Sequence, residues 1–211
     1  MNHKLNYTAT WSVIGFIFSI SILAYVNYLS GKNHIDLWTS KSPIRFLSQA
    51  HKKLNEDKPY ECIVDLQSAV KIIRSIESYG DSTSNRYLEN SVNDLVTIIS
   101  EIDEKEISLE GLNVAIFETL NAIAYADLKM AEKDIKSGDY EKALVLLKTT
   151  RLAVMRSTKY IQPQDTVMEK KVILDLESVL DSLESSQHFD YSEIDQLNQE
   201  IEALLERDYL N

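Results

Sequence analysis

With 211 residues, only five Gly and three Pro, and a single Cys, the chain has too few turn formers for a many-stranded sheet protein, and no internal disulfide is possible. The composition therefore indicates an all-α fold. The net charge of −11 is unevenly spread, with seven Lys/Arg against three Asp/Glu in residues 1–60 and three against twelve in residues 169–211; this disfavours nucleic acid as a partner, because no face can gather the cations that phosphates require.

Residues 1–10 form a polar tail containing Lys4 and no acid. Residues 11–29, WSVIGFIFSISILAYVNYL, carry no charge and are long enough to cross a hydrocarbon core of about 30 Å. Trp11 at one end and Tyr25 and Tyr28 at the other suit the two interfaces. The run exceeds the usual apolar core of a signal peptide, and no pair of small residues marks a cleavage site, so the expectation is an uncleaved single-pass anchor. Lys4 competes with Lys32, Lys41 and Arg45 in setting its orientation. Charge counting leans slightly toward a cytoplasmic domain, whereas a short, acid-free, basic tail before the first apolar run is also how an exported signal anchor begins, so both placements stay open. Residues 30–41 read as a linker, and residues 42–211 as one helical-bundle domain.

Seven helices are expected in that domain, arranged as antiparallel hairpins. The first starts at Ser42 as cap with Pro43 in its first turn, and carries Ile44, Leu47, Ala50 and Leu54 on one face. Pro59 opens the second, with Ile63, Leu66, Val70 and Ile73 on one face and Cys62 as a small, partly buried hydrophobe. Gly80 to Asn85 reads as a polar loop, after which the third carries Leu88, Val92, Leu95, Ile99 and Ile102 on one stripe. The fourth runs from between Ser108 and Leu112 to about Lys136, long enough to be a central strut. Gly138 then takes a left-handed turn, Asp139 caps, and Tyr140 starts the fifth helix, which runs to about Tyr160. The sixth bears Val172, Leu176, Val179 and Leu183, and the seventh Ile194, Leu197, Ile201 and Leu204.

An internal echo joins two hairpin turns about 80 residues apart. Leu47, Ala50 and Leu54 followed by DKPYECIVDLQ resemble Leu128, Ala131 and Ile135 followed by SGDYEKALVLLK. Duplication of a helical unit and convergent amphipathic patterning both account for it.

No pattern carries chemistry. The paired Glu-x-x-His of di-iron bundles is missing, as are His-x-x-x-His, Cys-x-x-Cys and the Gly-rich phosphate loops. Glu184 and His188 stand four apart at a helix end without a second cluster, and Glu101, Asp103 and Glu104 read as solubilising. The expectation is a protein with no catalysis, cofactor or metal. It would act as an interaction module, an adaptor, accessory subunit or stress-related chaperone-like factor, with Ala143, Leu147 and Val154 lining a docking groove for a membrane-associated protein partner. The alternative is a lipid- or small-molecule-binding domain with an apolar pocket among the second, fourth and fifth helices.

Residues 126–143, ADLKMAEKDIKSGDYEKA, resemble half of a tetratricopeptide helix pair, though the helices are too long for that repeat and no 34-residue period is present. Over about residues 125–205, the Gly138-Asp139 turn, the Ala143 to Leu147 helix, Val154-Met155, Pro163 and a final hairpin turning near Phe189 and Tyr191 resemble the YfdX family of bacterial helical proteins. That resemblance implies an all-helical, periplasmic, stress-associated protein with no catalytic residues to carry over. It also implies a cleavable leader where this chain has the anchor-like segment.

Overall fold

The computed structural model describes residues 42–77, 80–104, 108–162, 166–185 and 191–206. The anchor-like segment, the linker, Pro163, His188 and Phe189 lie outside them. The described residues belong to the second of two units, divided between Lys41 and Ser42. They form seven helices and no strand: α1 (Pro43–Asn55), α2 (Pro59–Glu77), α3 (Ser82–Glu104), α4 (Leu109–Ser137), α5 (Tyr140–Ser157), α6 (Val167–Glu184) and α7 (Tyr191–Leu205). Among the described residues, no helix is long and apolar enough to cross a membrane.

Each helix packs on its chain neighbours, and α4 also packs on both α1 and α7. The chain thus closes two four-helix rings, α1 to α4 and α4 to α7, with α4 common to both. A helix walled on all sides is buried around its whole circumference, and is apolar apart from the few polar residues it encloses, here Thr119, Asn121 and Asp127. Every residue of α4 from Thr119 to Leu128 is buried, including Leu120, Ala122, Ile123, Ala124 and Ala126.

The two rings are two copies of one unit, offset by 81 positions. Leu47, Ala50 and Leu54 stand 81 before Leu128, Ala131 and Ile135, and the first helical residues Pro59 and Tyr140 keep that interval. So do the left-handed turn residues, Asp57 at φ 56° and Gly138 at φ 81°. Their hydrogen bonds repeat as well. Asp57 N–H donates to Leu54 O and Lys58 N–H to Lys53 O, while Gly138 N–H donates to Ile135 O and Asp139 N–H to Asp134 O. The offset persists in the core, where Leu95 and Ile98 of α3 match Leu176 and Val179 of α6, and Ile116, Leu120 and Ile123 match Leu197, Ile201 and Leu204 of α7. α4 is therefore the last helix of copy one fused to the first of copy two, and its 29 residues compare with the 13 of α1 and 15 of α7.

Local details depart from the sequence reading where the faces are wider than one stripe. Ile98 rather than Ile99 is buried in α3, and Leu180 rather than Leu183 in α6. Cys62 is wholly rather than partly enclosed, and Ile63 is half-buried. Ser42 precedes α1 without a side-chain cap hydrogen bond, so Pro43 alone shapes that start. At the second turn, Asp139 accepts from the Lys142 backbone N–H at 3.4 Å, and its side chain also meets the Lys142 ammonium.

Nothing lies within 4 Å of where a Cβ on Gly138 would stand. A Gly138→Ala change should consequently cost only the left-handed backbone penalty, about 1 kcal/mol, read as a lower urea midpoint with unchanged slope.

Candidate functional site

The residues singled out by the sequence fall into two groups. Gly138, Asp139 and Tyr140 form the α4–α5 turn, with Tyr140 exposed at the surface. Ala143, Leu147 and Val154, expected to line a docking groove, have no exposed surface. They lie on the face of α5 that closes against its neighbours, so they build the core and offer no groove to a partner.

The opposite flank of that hairpin is the unusual surface. Leu152 and Met155 of α5 are 37% and 42% exposed, and Val167 and Leu174 of α6 are 70% and 64% exposed. The Arg151 guanidinium donates to Glu177 at 2.9 Å across the seam between the two helices. Because the helices run antiparallel, Met155 one turn beyond Arg151 and Leu174 one turn before Glu177 lie on the same side of that bridge.

Copy one supplies an internal comparison. At 81 positions earlier, the residues matching Leu152, Met155, Val167 and Leu174 are Lys71, Arg74, Arg86 and Asn93, all exposed. The same outer face is solvated in one copy and apolar in the other. Copy one has exposed apolar residues at different places, Tyr60, Val64 and Val96. The sequence did contain a signal for the α5–α6 set, since Met155 and Leu174 fall off the helical phase of Val154 and of Val172, Leu176 and Val179.

A second feature is a cleft of about 440 Å³ where the start of α3 meets the last turns of α4, lined by Gly80, Asp81, Met130, Glu132 and the lysines Lys129, Lys133 and Lys136. Its floor is fixed by Glu132, which accepts from Lys129 at 2.6 Å, from Lys136, and from Asn198 Nδ2 of α7 at 3.0 Å. Burial alone would raise the Glu132 carboxyl, but these donors outweigh it and hold the group down at about 2. The expected pocket among α2, α4 and α5 is not where this cleft lies.

Copy two also has the more polar interior. Asp127, Thr150, Glu169 and Asn198 are buried where copy one has Phe46, Ala69, Leu88 and Phe117. Asp127 is fully enclosed, with no hydrogen-bond partner for either carboxylate oxygen among the described residues, and burial raises its pKa well above 3.8. The native chain therefore binds this proton more tightly than the unfolded one does. Its contribution to stability falls as pH rises from about 3.8 towards the raised native value. Asp127→Asn should stabilise the protein by about 1 kcal/mol at pH 8 and leave it nearly unchanged at pH 4, measured by urea unfolding at both.

Cys62 is buried and pushed up to about 11 by desolvation. A disulfide reagent should label it only as fast as the domain opens, which separates a core thiol from a reactive one. His51 is half-buried edge-on to Tyr160 at 5.2 Å. Among the described residues, no group of three or more His, Cys, Asp or Glu could hold a metal.

No protein family, curated protein or solved structure matches the chain. The resemblance of residues 125–205 to the YfdX family thus rests on the sequence alone; the stretch nearly coincides with copy two.

Proposed function

We propose that the chain is a membrane-anchored helical protein-interaction module, an adaptor, accessory subunit or chaperone-like factor, whose docking surface is the outer face of the α5–α6 hairpin. The observation that carries this reading is the replacement of Lys71, Arg74, Arg86 and Asn93 in copy one by Leu152, Met155, Val167 and Leu174 in copy two. Four large apolar side chains left between 37% and 70% exposed gain less for the folded chain than full burial would. Burial against a partner would recover about 25 cal/mol for each Å² removed from water. The anchor rests on residues 11–29 of the sequence.

Material extracted from its native membrane should carry a stoichiometric protein partner that is lost in the Val167→Glu/Leu174→Glu double variant. A monomer in both preparations would sink the proposal. Protease treatment of intact spheroplasts, with a tag after Asn211, tests the expected periplasmic placement: a tag lost before lysis lies outside the cytoplasm, and one that survives until lysis lies inside.

Lys133, the cleft lysine that Glu132 does not engage, favours a second reading, a module that binds a lipid headgroup or another small anion. Native mass spectrometry should then show a bound anion that Lys133→Glu removes.

A further inference from the structure

We propose that the face formed by α1 and the end of α5 rests on the headgroups of anionic phospholipid, in the bilayer that residues 11–29 are expected to cross. This inference rests on the anchor part of the reading above and adds a second surface, apart from the α5–α6 flank.

Charge is sorted by helix. α1 holds three Lys/Arg and no acid, and α5 holds four against one, whereas each of the other five helices holds more acid than base. The extremes are α3, with one Arg against five acids, and α7, with no base against four. The fold brings the end of α5 against α1. Tyr160, just past α5, meets His51 of α1 edge-on at 5.2 Å, and its hydroxyl donates to Ser48 Oγ at 3.4 Å.

Part of this basic charge is already neutralised. Lys142, Lys148 and Arg151 of α5 pair with Asp139, Glu184 and Glu177, and Lys53 of α1 pairs with Glu61. Lys52 keeps only a loose contact with Glu56 at 3.6 Å. Arg45, Arg156 and Lys159 have no ion pair among the described residues; Arg45 lies over the Phe46 ring and acts on Asp65 of α2 without pairing with it. These four cations surround the Tyr160 contact. Arg45 and Lys52 stand three before and four after Ser48 on its face of α1, and Arg156 and Lys159 lie within one turn of Tyr160.

Tether and charge together select the occupant. The linker of residues 30–41 enters α1 at Ser42 and reaches at most about 40 Å, so α1 is the helix that an anchor delivers first to the bilayer surface. At an anionic surface each Lys or Arg strengthens association about fivefold, and the acidic α3 and α7 are repelled, which turns the α1–α5 face towards the lipid. Four cations suit a few lipid phosphates and fall short of the roughly six to ten that a nucleic-acid duplex engages.

The test uses the full chain reconstituted in vesicles of phosphatidylcholine alone, or of phosphatidylcholine with phosphatidylglycerol. A benzoylphenylalanine photo-crosslinker replaces Gln49, exposed on the same face of α1, or Gln199, exposed on α7 as the control. The expected result is at least about fivefold more phospholipid labelled from position 49 in the anionic vesicles, and none from position 199. Arg45→Gln/Lys159→Gln should lower that yield at least about fivefold with an unchanged melting temperature. Equal labelling from position 49 in the two lipids, or a yield indifferent to the double variant, overturns the inference; the anchor reading then stands if alkaline carbonate leaves the chain in the vesicles. A cross-link from position 49 to a second copy of this chain overturns it in favour of self-association. A chain that carbonate strips from both kinds of vesicle overturns the anchor reading and this inference with it.

Discussion

Phe117→Ala is expected to lower the free energy of unfolding by about 3–5 kcal/mol, among the largest effects expected of a single core truncation in this chain. Phe117 is among the largest fully buried side chains and sits on α4, the one helix common to both rings. Truncating it removes the transfer free energy of the ring and leaves a cavity that its close-packed neighbours fill only in part. The sharing of α4 also sets the shape of the curve. Neither ring can lose α4 and stay closed, so the rings should unfold together in one transition, and Leu66→Ala in α2 and Leu176→Ala in α6 should shift that same transition. Circular dichroism and hydrogen exchange read this directly. Two resolved steps, each moved by only one of those variants, would show that the rings are independent and the shared-helix account is wrong.

Glu132 gives the second large effect, and it depends on pH. Its carboxyl is held at about 2 by Lys129, Lys136 and Asn198, against an ordinary value of 4.5. A depressed native value means that the stabilisation is present in full above 4.5 and disappears as pH falls through the native value of about 2. Lys136 is well exposed and screened by solvent, which reduces the net contribution to about 2 kcal/mol. Glu132→Gln should therefore destabilise the protein by that amount at pH 7, with the difference from the unaltered chain shrinking steadily between pH 5 and pH 3. A constant difference across that range would assign the effect to packing with Asn198 and Met130 instead of to charge. The trend is opposite in sign to that of Asp127, so the two carboxylates of one helix can be told apart in a single pH series.

The rings explain a charge exchange at the two related turns. Lys53 pairs with Glu61 across the α1–α2 turn, while at the α4–α5 turn the matching positions are Asp134 and Lys142, which act on each other with the signs reversed. The attraction at this place depends on opposite charge and not on which side carries which; at the α4–α5 turn the direct ion pair of Lys142 is with Asp139 instead. The internal echo was visible at the turns in the sequence because turn chemistry is local. It faded in α3, α6 and α7, where only the buried face repeats and leucine, isoleucine and valine replace one another freely.

By itself, the sequence determined the all-α class, the seven helices, and the left-handed Gly138 followed by the Asp139 cap, since periodicity, caps and breakers act within a few residues; it missed the start of α3, which opens at Ser82 inside the polar stretch Gly80 to Asn85 read as loop. It also marked α4 as the strut through length, and the apolar run around it carries the mark of a helix covered on every side. Only the tertiary structure decided which flank of each helix is covered. Ala143, Leu147 and Val154 proved to be core, and Leu152, Met155, Val167 and Leu174 proved to be surface, because an apolar stripe states that a face is to be buried and not which neighbour buries it. The closing of two rings around one shared helix settled that, by giving every inward stripe a partner and leaving the α5–α6 flank without one within the described fold.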